Sequence, residues 1–319
     1  MPNKNSAGLK ETKWWHWLVI LFIIFIITSS IGSWYQLYYN SNWDGRSRLN
    51  FIVVNSAQQN HLQIFSYENL SDSLTKEPQA VIIDLPPEVR LEVVQGYDQY
   101  LVSALYGLAD QEQNITLLTD TLQQELGIPI DGWLASSADK CDSDNLPNCL
   151  LNQIKWWTPY LPDTNFNRGD LARLWWQIRR LRTDQIRWLD FSLGNWAKTE
   201  LEIDGQPVIW FDKNTIDSQI PELLADSQVK HSPHAVRVVN TTNIPGLGSE
   251  ITRVISGMGA RVIEVTNRTE NINTCQIQTT SSAKSSYLVQ RLVKIFDCHL
   301  SDQLLDDPRV DIEVLVSSN

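Results

Sequence analysis

Residues 236–267 read VRVVNTTNIPGLGSEITRVISGMGARVIEVTN, and this stretch decides the fold class. Its first part, 236–239, is a β-branched run that reads as a strand. The segment NIPGLG, 243–248, breaks the strand with Pro and Gly and feeds a helix over 249–256. Gly257 and Gly259 end that helix, and 261–265 is the next strand. Downstream, 275–279 reads as a strand, 283–296 as an amphipathic helix and 310–316 as a last strand. The order is β-α-β-β-α-(β)-β, a split β-α-β unit. The turn at 243–248 could cradle an anion on helix N–H groups. Its glycines are equally what a tight strand-to-helix turn demands.

Moving toward the N-terminus, KHSPH at 230–234 reads as a linker, and its two histidines lack the carboxylate or Cys partners of a metal site. Before it, strands and helices alternate. Strands are expected at 49–54, 64–67, 80–83, 130–134, 186–189 and 208–211. Helices are expected at 97–109, 116–126, 168–182 and 217–224. That alternation indicates an α/β layer fold. Gly127, with Pro129 just beyond, ends the helix before it. Asn167 is a candidate N-cap, with Asp170 three residues on. Residues 136–168 read as loop, with Trp156, Trp157 and Tyr160 clustered near Pro159 and Pro162.

At the N-terminus no Asp, Glu, Lys or Arg occurs from Trp14 to Trp43, and 17–27 is apolar. Aromatic residues stand at both ends of the run. The expectation is one transmembrane helix over 14–36, placing the protein in a cytoplasmic membrane as a single-pass chain. Lys4, Lys10 and Lys13 against Glu11 put the tail, 1–13, inside and the C-terminal domains outside. A signal peptide cleaved near Ser30, Gly32 or Ser33 is the alternative.

The chain has 319 residues and a net charge of −11, with the acid concentrated after the N-terminal helix. Such a surface excludes general nucleic-acid binding, which needs a basic footprint. Four cysteines fall into two local pairs, Cys141 with Cys149 and Cys275 with Cys298. In an exported protein two disulfides are expected; four thiols are the alternative. No Ser-His-Asp or Cys-His arrangement stands out, so no catalytic residue and no metal ligand is assigned.

The stretch 235–317 resembles the LytR C-terminal domain of bacterial envelope proteins, carried by the Val-x-Asn strand end, the Pro-Gly-Leu turn, the helix, the Gly and the strand ending in Asn267. More faintly, LNFIVV (49–54), IIDLPPEV (82–89), LGIPIDGWL (126–134) and the Arg-rich helix make 48–229 resemble the LytR-CpsA-Psr (LCP) family. That resemblance implies an α/β sheet with a lipid groove, and transfer of glycopolymers from a polyprenyl-pyrophosphate carrier by Asp and Arg residues that hold a metal, with Mg as the cofactor if the activity persists. At the family's Pro-Arg-Asp motif this chain reads Pro86-Pro87-Glu88. The first strand leads into Asn55-Ser56-Ala57 instead of a Gly and an Asp. A Pro offers neither charge nor N–H to a phosphoryl oxygen. The resemblance therefore implies a non-catalytic envelope protein without a cofactor, partnered by the membrane, by peptidoglycan or by a polyprenyl-linked glycan. A divergent phosphotransferase and an envelope scaffold are the alternatives.

Residues 168–187 hold six Arg against two Asp. Arg173, Arg179, Arg180 and Arg182 are the candidates for binding a pyrophosphate or lipid head group, since guanidinium forks match phosphate oxygens. A solvated helix face is the plainer reading. Trp175 fits the apolar stripe of that helix.

Overall fold

The computed structural model describes residues 11–39, 41–55, 60–69, 79–136, 146–154, 163–201, 205–268, 272, 274–305 and 307–317. In chain order the elements are α1 (Glu11–Tyr39), β1 (Leu49–Asn55), β2 (His61–Tyr67), β3 (Ala80–Asp84), β4 (Arg90–Glu92), β5 (Gln99–Leu101), α2 (Val102–Gln111) and α3 (Thr116–Leu126). Then come β6 (Gly132–Ser136), α4 (Leu146–Gln153), β7 (Asp163–Thr164), α5 (Arg168–Ile178), β8 (Ile186–Asp190), β9 (Ala197–Leu201), β10 (Pro207–Phe211), α6 (Lys213–Leu224) and α7 (Ser227–Lys230). The last are β11 (Ala235–Asn240), α8 (Leu247–Gly257), β12 (Arg261–Asn267), β13 (Gln276–Thr279), α9 (Tyr287–Phe296), β14 (His299–Leu304) and β15 (Ile312–Val316).

Three sheets result. The largest runs β7-β6-β1-β2-β3-β8, with parallel pairs β1/β6 and β3/β8 flanking the antiparallel β1-β2-β3 meander. Pleating sends alternate residues to opposite faces. Ile52, Val54, Leu62, Ile64, Val81 and Ile83 pack on one face against α2, α3 and α6. On the other face Phe51, Val53, Phe65, Tyr67 and Ile82 meet α4 and α5. The sheet is thus covered on both sides, which is why its central strands are nearly continuous apolar runs. A small sheet, β5-β4-β10-β9, extends the first core. Residues 97–109, expected as one helix, open instead as β5. The antiparallel register of Gln99–Leu101 with Arg90–Glu92 outweighs the helical spacing there.

The third sheet, β12-β11-β15-β13-β14, follows the split β-α-β order, with α8 and α9 packed on it. Cys275 and Cys298 form a disulfide beside this core. It ties the start of β13 to the end of α9 across 23 residues of sequence. Replacing both cysteines with Ala is expected to destabilise the chain by about 3 kcal/mol by freeing the unfolded state, measured as a lower urea midpoint; an unchanged midpoint would contradict it. Cys149 is also disulfide-bonded, and Cys141 lies outside the described residues.

The polar segment 41–47 packs on the fold. Trp43 is buried edge-on against Tyr67, and its backbone N–H donates to Asp170 Oδ1 at 2.9 Å. The transmembrane helix expected over 14–36 is corrected. α1 forms, but among the described residues no helix is long and apolar enough to cross a membrane. The strictly apolar stretch is the eleven residues 17–27, between His16 and Thr28-Ser29-Ser30. Eleven residues rise about 16 Å, roughly half of a hydrocarbon core. The single-pass membrane localisation with the N-terminus inside loses its basis with it.

Candidate functional site

The Arg-rich segment folds as expected locally. Asn167 caps α5, with its side chain accepting from Asp170 N at 2.8 Å and Asp170 completing the capping box. Leu171, Leu174 and Ile178 anchor the buried face. The four candidate arginines do not converge. Arg173 is half-buried and donates to the Trp43 carbonyl. Arg179 lies over the Trp175 ring at 5.3 Å and Arg180 over the Trp176 ring at 4.7 Å, both exposed. Arg182 pairs with Asp184 at 3.0 Å in solvent. Gln177 meets Tyr67, whose pKa burial pushes up to about 12 against the pull of Arg180. Tyr67 ends β2, so this face sits at the edge where β1 and β3 begin.

The opposite edge carries a feature that no motif announced. The parallel strands β1, β3, β6 and β8 all end there, in Asn55, Asp84, Ser136 and Asp190. Cross-strand register pairs Asn55 with Ser136, Asn55 with His61, Gln63 with Asp84, and Asp84 with Asp190. Each of these six residues has the parity of Phe51, Val53, Ile82 and Leu134. All six therefore stand on the face that packs against α4 and α5, where the apolar core stops. His61 Nε2 lies 3.2 Å and Gln63 Nε2 3.3 Å from Asp84 Oδ1. Asp190 Oδ1 accepts from Ser192 N at 2.8 Å and from its hydroxyl. Asn55, Gln63, Asp84 and Ser136 are buried.

Burying so many polar groups costs free energy unless each is hydrogen-bonded, so such a row at strand ends marks a place where polar groups are wanted. Ligands in α/β sheets bind outside the carboxyl ends of strands. The signal that could have found it is parity: a polar residue closing each apolar strand, on one face. Pro86-Pro87 follow β3 as a turn closed by Val89 N to Pro86 O at 3.3 Å, with Pro87 and Glu88 exposed. Among the described residues no group of three His, Cys, Asp or Glu side chains is placed to hold a metal ion. Trp156, Trp157 and Tyr160 lie outside the described residues.

No family model and no curated protein matches the chain. Solved structures to which the chain is similar include a transcriptional regulator of Enterococcus faecalis, 10% identical over 55% of this chain and 85% of that one, with a TM-score of 0.36. TagU of B. subtilis is 7% identical over 56% of this chain and 97% of its own, with a TM-score of 0.31. The LytR-CPS2A-psr family protein YwtF (TagT), with bound octaprenyl pyrophosphate lipid, is 12% identical over 58% and 92%, with a TM-score of 0.32. LCP-family proteins are thus among the structural neighbours, at low identity.

Proposed function

We propose that this chain is a cell-envelope protein that holds a glycan, or the glycan end of a lipid-linked precursor, without transferring it. The observation that carries the reading is the polar row across the carboxyl edge of the central sheet. Its amides and hydroxyl offer donors and acceptors, and its two carboxylates accept from sugar hydroxyls. A pyrophosphate at the same row would face the negative charge of Asp84 and Asp190, and the four candidate arginines stand at the other edge. The resemblance of 235–317 to the LytR C-terminal domain, and of 48–229 to the LCP family, supports the envelope setting. Pro87 at the position of the family's Arg supports the lack of transfer, because phosphoryl transfer relies on positioned cations. Arg179 and Arg180, stacked on Trp rings, are a separate anion contact in this proposal. Arg173 and Arg182 are engaged by Trp43 and Asp184.

One observation favours a second reading, a divergent phosphotransferase. His61 held on Asp84 is a base with its orienting carboxylate. The test uses a polyprenyl-pyrophosphoryl disaccharide in detergent, with Mg and a saccharide acceptor. Saturable binding without release of the pyrophosphate lipid is expected. Gln63→Leu with Ser136→Ala should weaken binding by about tenfold or more, in protein whose thermal unfolding shows it is folded. No binding by the wild type sinks the proposal, and turnover abolished in His61→Ala establishes the second reading.

A further inference from the structure

The small sheet at the C-terminus has its own crevice, outside the ends of the parallel strands β11 and β12. It is an open cleft of about 680 Å³ lined by the loop after β11 and by Asn267 and Arg268 at the end of β12. The loop is held from within. Asn240, buried at the end of β11, donates from Nδ2 to the Ile244 carbonyl at 2.9 Å. Its Oδ1 accepts from Thr242 N at 2.9 Å and from the Thr242 hydroxyl at 2.7 Å. Thr241 Oγ1 ties the loop to β15 through the Val316 carbonyl at 2.7 Å. This bracing sets Ile244 half-exposed beside Pro245, an aliphatic shelf on one side of the cleft.

Two amides face the same space. Asn243 and Asn267 are exposed, and their side chains make no hydrogen bond among the described residues. The third polar group is Arg268. Its guanidinium is held by Glu313 through two parallel bonds of 2.8 and 2.9 Å. Glu313 is buried and shared with Arg237 at 3.0 Å. The arginine is therefore fixed in position and its charge is offset. An anion would gain little from a compensated cation in a chain of net charge −11. A purely apolar ligand would cover the amides without bonding them, which costs free energy.

We propose that this cleft is a binding site for an uncharged oligosaccharide of acetamido sugars. A side-chain amide carries one acceptor and two donors, and pairs edge to edge with an acetamido group. The Ile244–Pro245 shelf fits the C–H face of a sugar ring, and the cleft volume suits about two to three rings. The site lies on a different sheet from the polar row and uses none of its residues, so it stands independently of that reading.

The test is a titration of the full chain, labelled with ¹⁵N only at Asn, with the trisaccharide triacetylchitotriose, followed by NMR. The side-chain amide signals of Asn243 and Asn267 should move and saturate with a Kd on the order of 1 mM. Cellotriose has the same linkage without acetamido groups and should bind about tenfold more weakly or less. The exposed pair Asn243→Ala with Asn267→Ala should abolish the binding while leaving the thermal midpoint in place, and Gln63→Leu with Ser136→Ala should leave it intact. Still side-chain signals in the wild type overturn the proposal. Equal affinity for cellotriose overturns the ligand class. Binding that survives the Asn pair but is lost in the Gln63 and Ser136 pair moves the saccharide to the central sheet and overturns this site alone.

Discussion

Arg291→Met should destabilise the chain by about 3–5 kcal/mol, because it strips the cation from a buried carboxylate. Arg291 projects from α9 of the third sheet and is 5% exposed. It grips Asp131 ahead of β6 with two bonds, one of them 2.7 Å, and donates to the Arg48 carbonyl at 3.1 Å. Burial pulls the Arg291 pKa down, and Asp131 overrides that pull and holds it above the ordinary value. Asp131 in turn accepts from Asn50 N at 2.9 Å. One ion pair therefore joins α9, β1 and the approach to β6. Lys294, 3.8 Å from the same carboxylate, is half-exposed and too far to replace the lost bonds. The measurement is urea unfolding of the wild type, Arg291→Met, Asp131→Asn and the double variant. The double variant should recover part of the loss, since removing both charges leaves no orphan. Equal stability of Arg291→Met and wild type would show that the pair adds nothing.

A second buried group lies beside this pair and explains why the third sheet sits where it does. Arg48 pairs with Glu68 at 2.7 Å and donates to the Ala225 carbonyl at 3.1 Å. Glu68 also accepts from Ser227 N at 2.8 Å. Asp226 receives the Tyr287 hydroxyl from α9 and the Gln228 N–H. Burial raises the pKa of both Asp226 and Tyr287, as expected when two polar groups leave water together.

How much of this was legible in the sequence follows from what each residue needs. The β-branched run at 236–239, the Gly and Pro punctuation and the Asn167–Asp170 cap act through local backbone chemistry, so the C-terminal order and the start of α5 read directly. β4, β9 and β14 are defined by their partners, and Leu201 and Leu304 on two of them are exposed, so no local apolar run marks them. The polar row fails local reading for a related reason. Asn55 and His61 face each other across one hairpin, but Asp84, Ser136 and Asp190 are distant in sequence, and the row meets only through the register of five strands. The Arg cluster shows the reverse. A dense local run drew attention, but the helix turns its members apart, and Arg173 serves to hold Trp43. The N-terminal segment misled because its flanking aromatics extended the reading, while its unbroken apolar part is short.

Gly257→Ala should be the most damaging Gly→Ala change among the described residues. Gly257 ends α8 against the C-terminal turn of α3, and a Cβ built there would stand 2.0 Å from the Gly127 carbonyl oxygen and 3.2 Å from its carbon. The obstacle is backbone, so no side chain can rotate away. Gly127 cannot retreat easily. It sits at φ +62 as the left-handed cap of α3, the conformation that favours Gly. Arg253 also clamps this junction, donating to the Gln124 carbonyl at 2.8 Å and bonding Asp217 through Nη2 and Nε. To admit the methyl, α8 must lift off α3 and stretch those bonds, so the cost should reach or exceed the usual overpacking range of about 1–3 kcal/mol. Gly246→Ala supplies the contrast. A Cβ there meets nothing within 4 Å, and only its φ of +87 opposes it. That strain is about 1–2 kcal/mol with no shift in packing. Urea midpoints and hydrogen exchange separate the two. Gly257→Ala should lower the midpoint further and also deprotect the amides at the end of α3, whereas Gly246→Ala should leave α3 protected. Equal protection of α3 in both variants would mean that α8 and α3 adjust without separating.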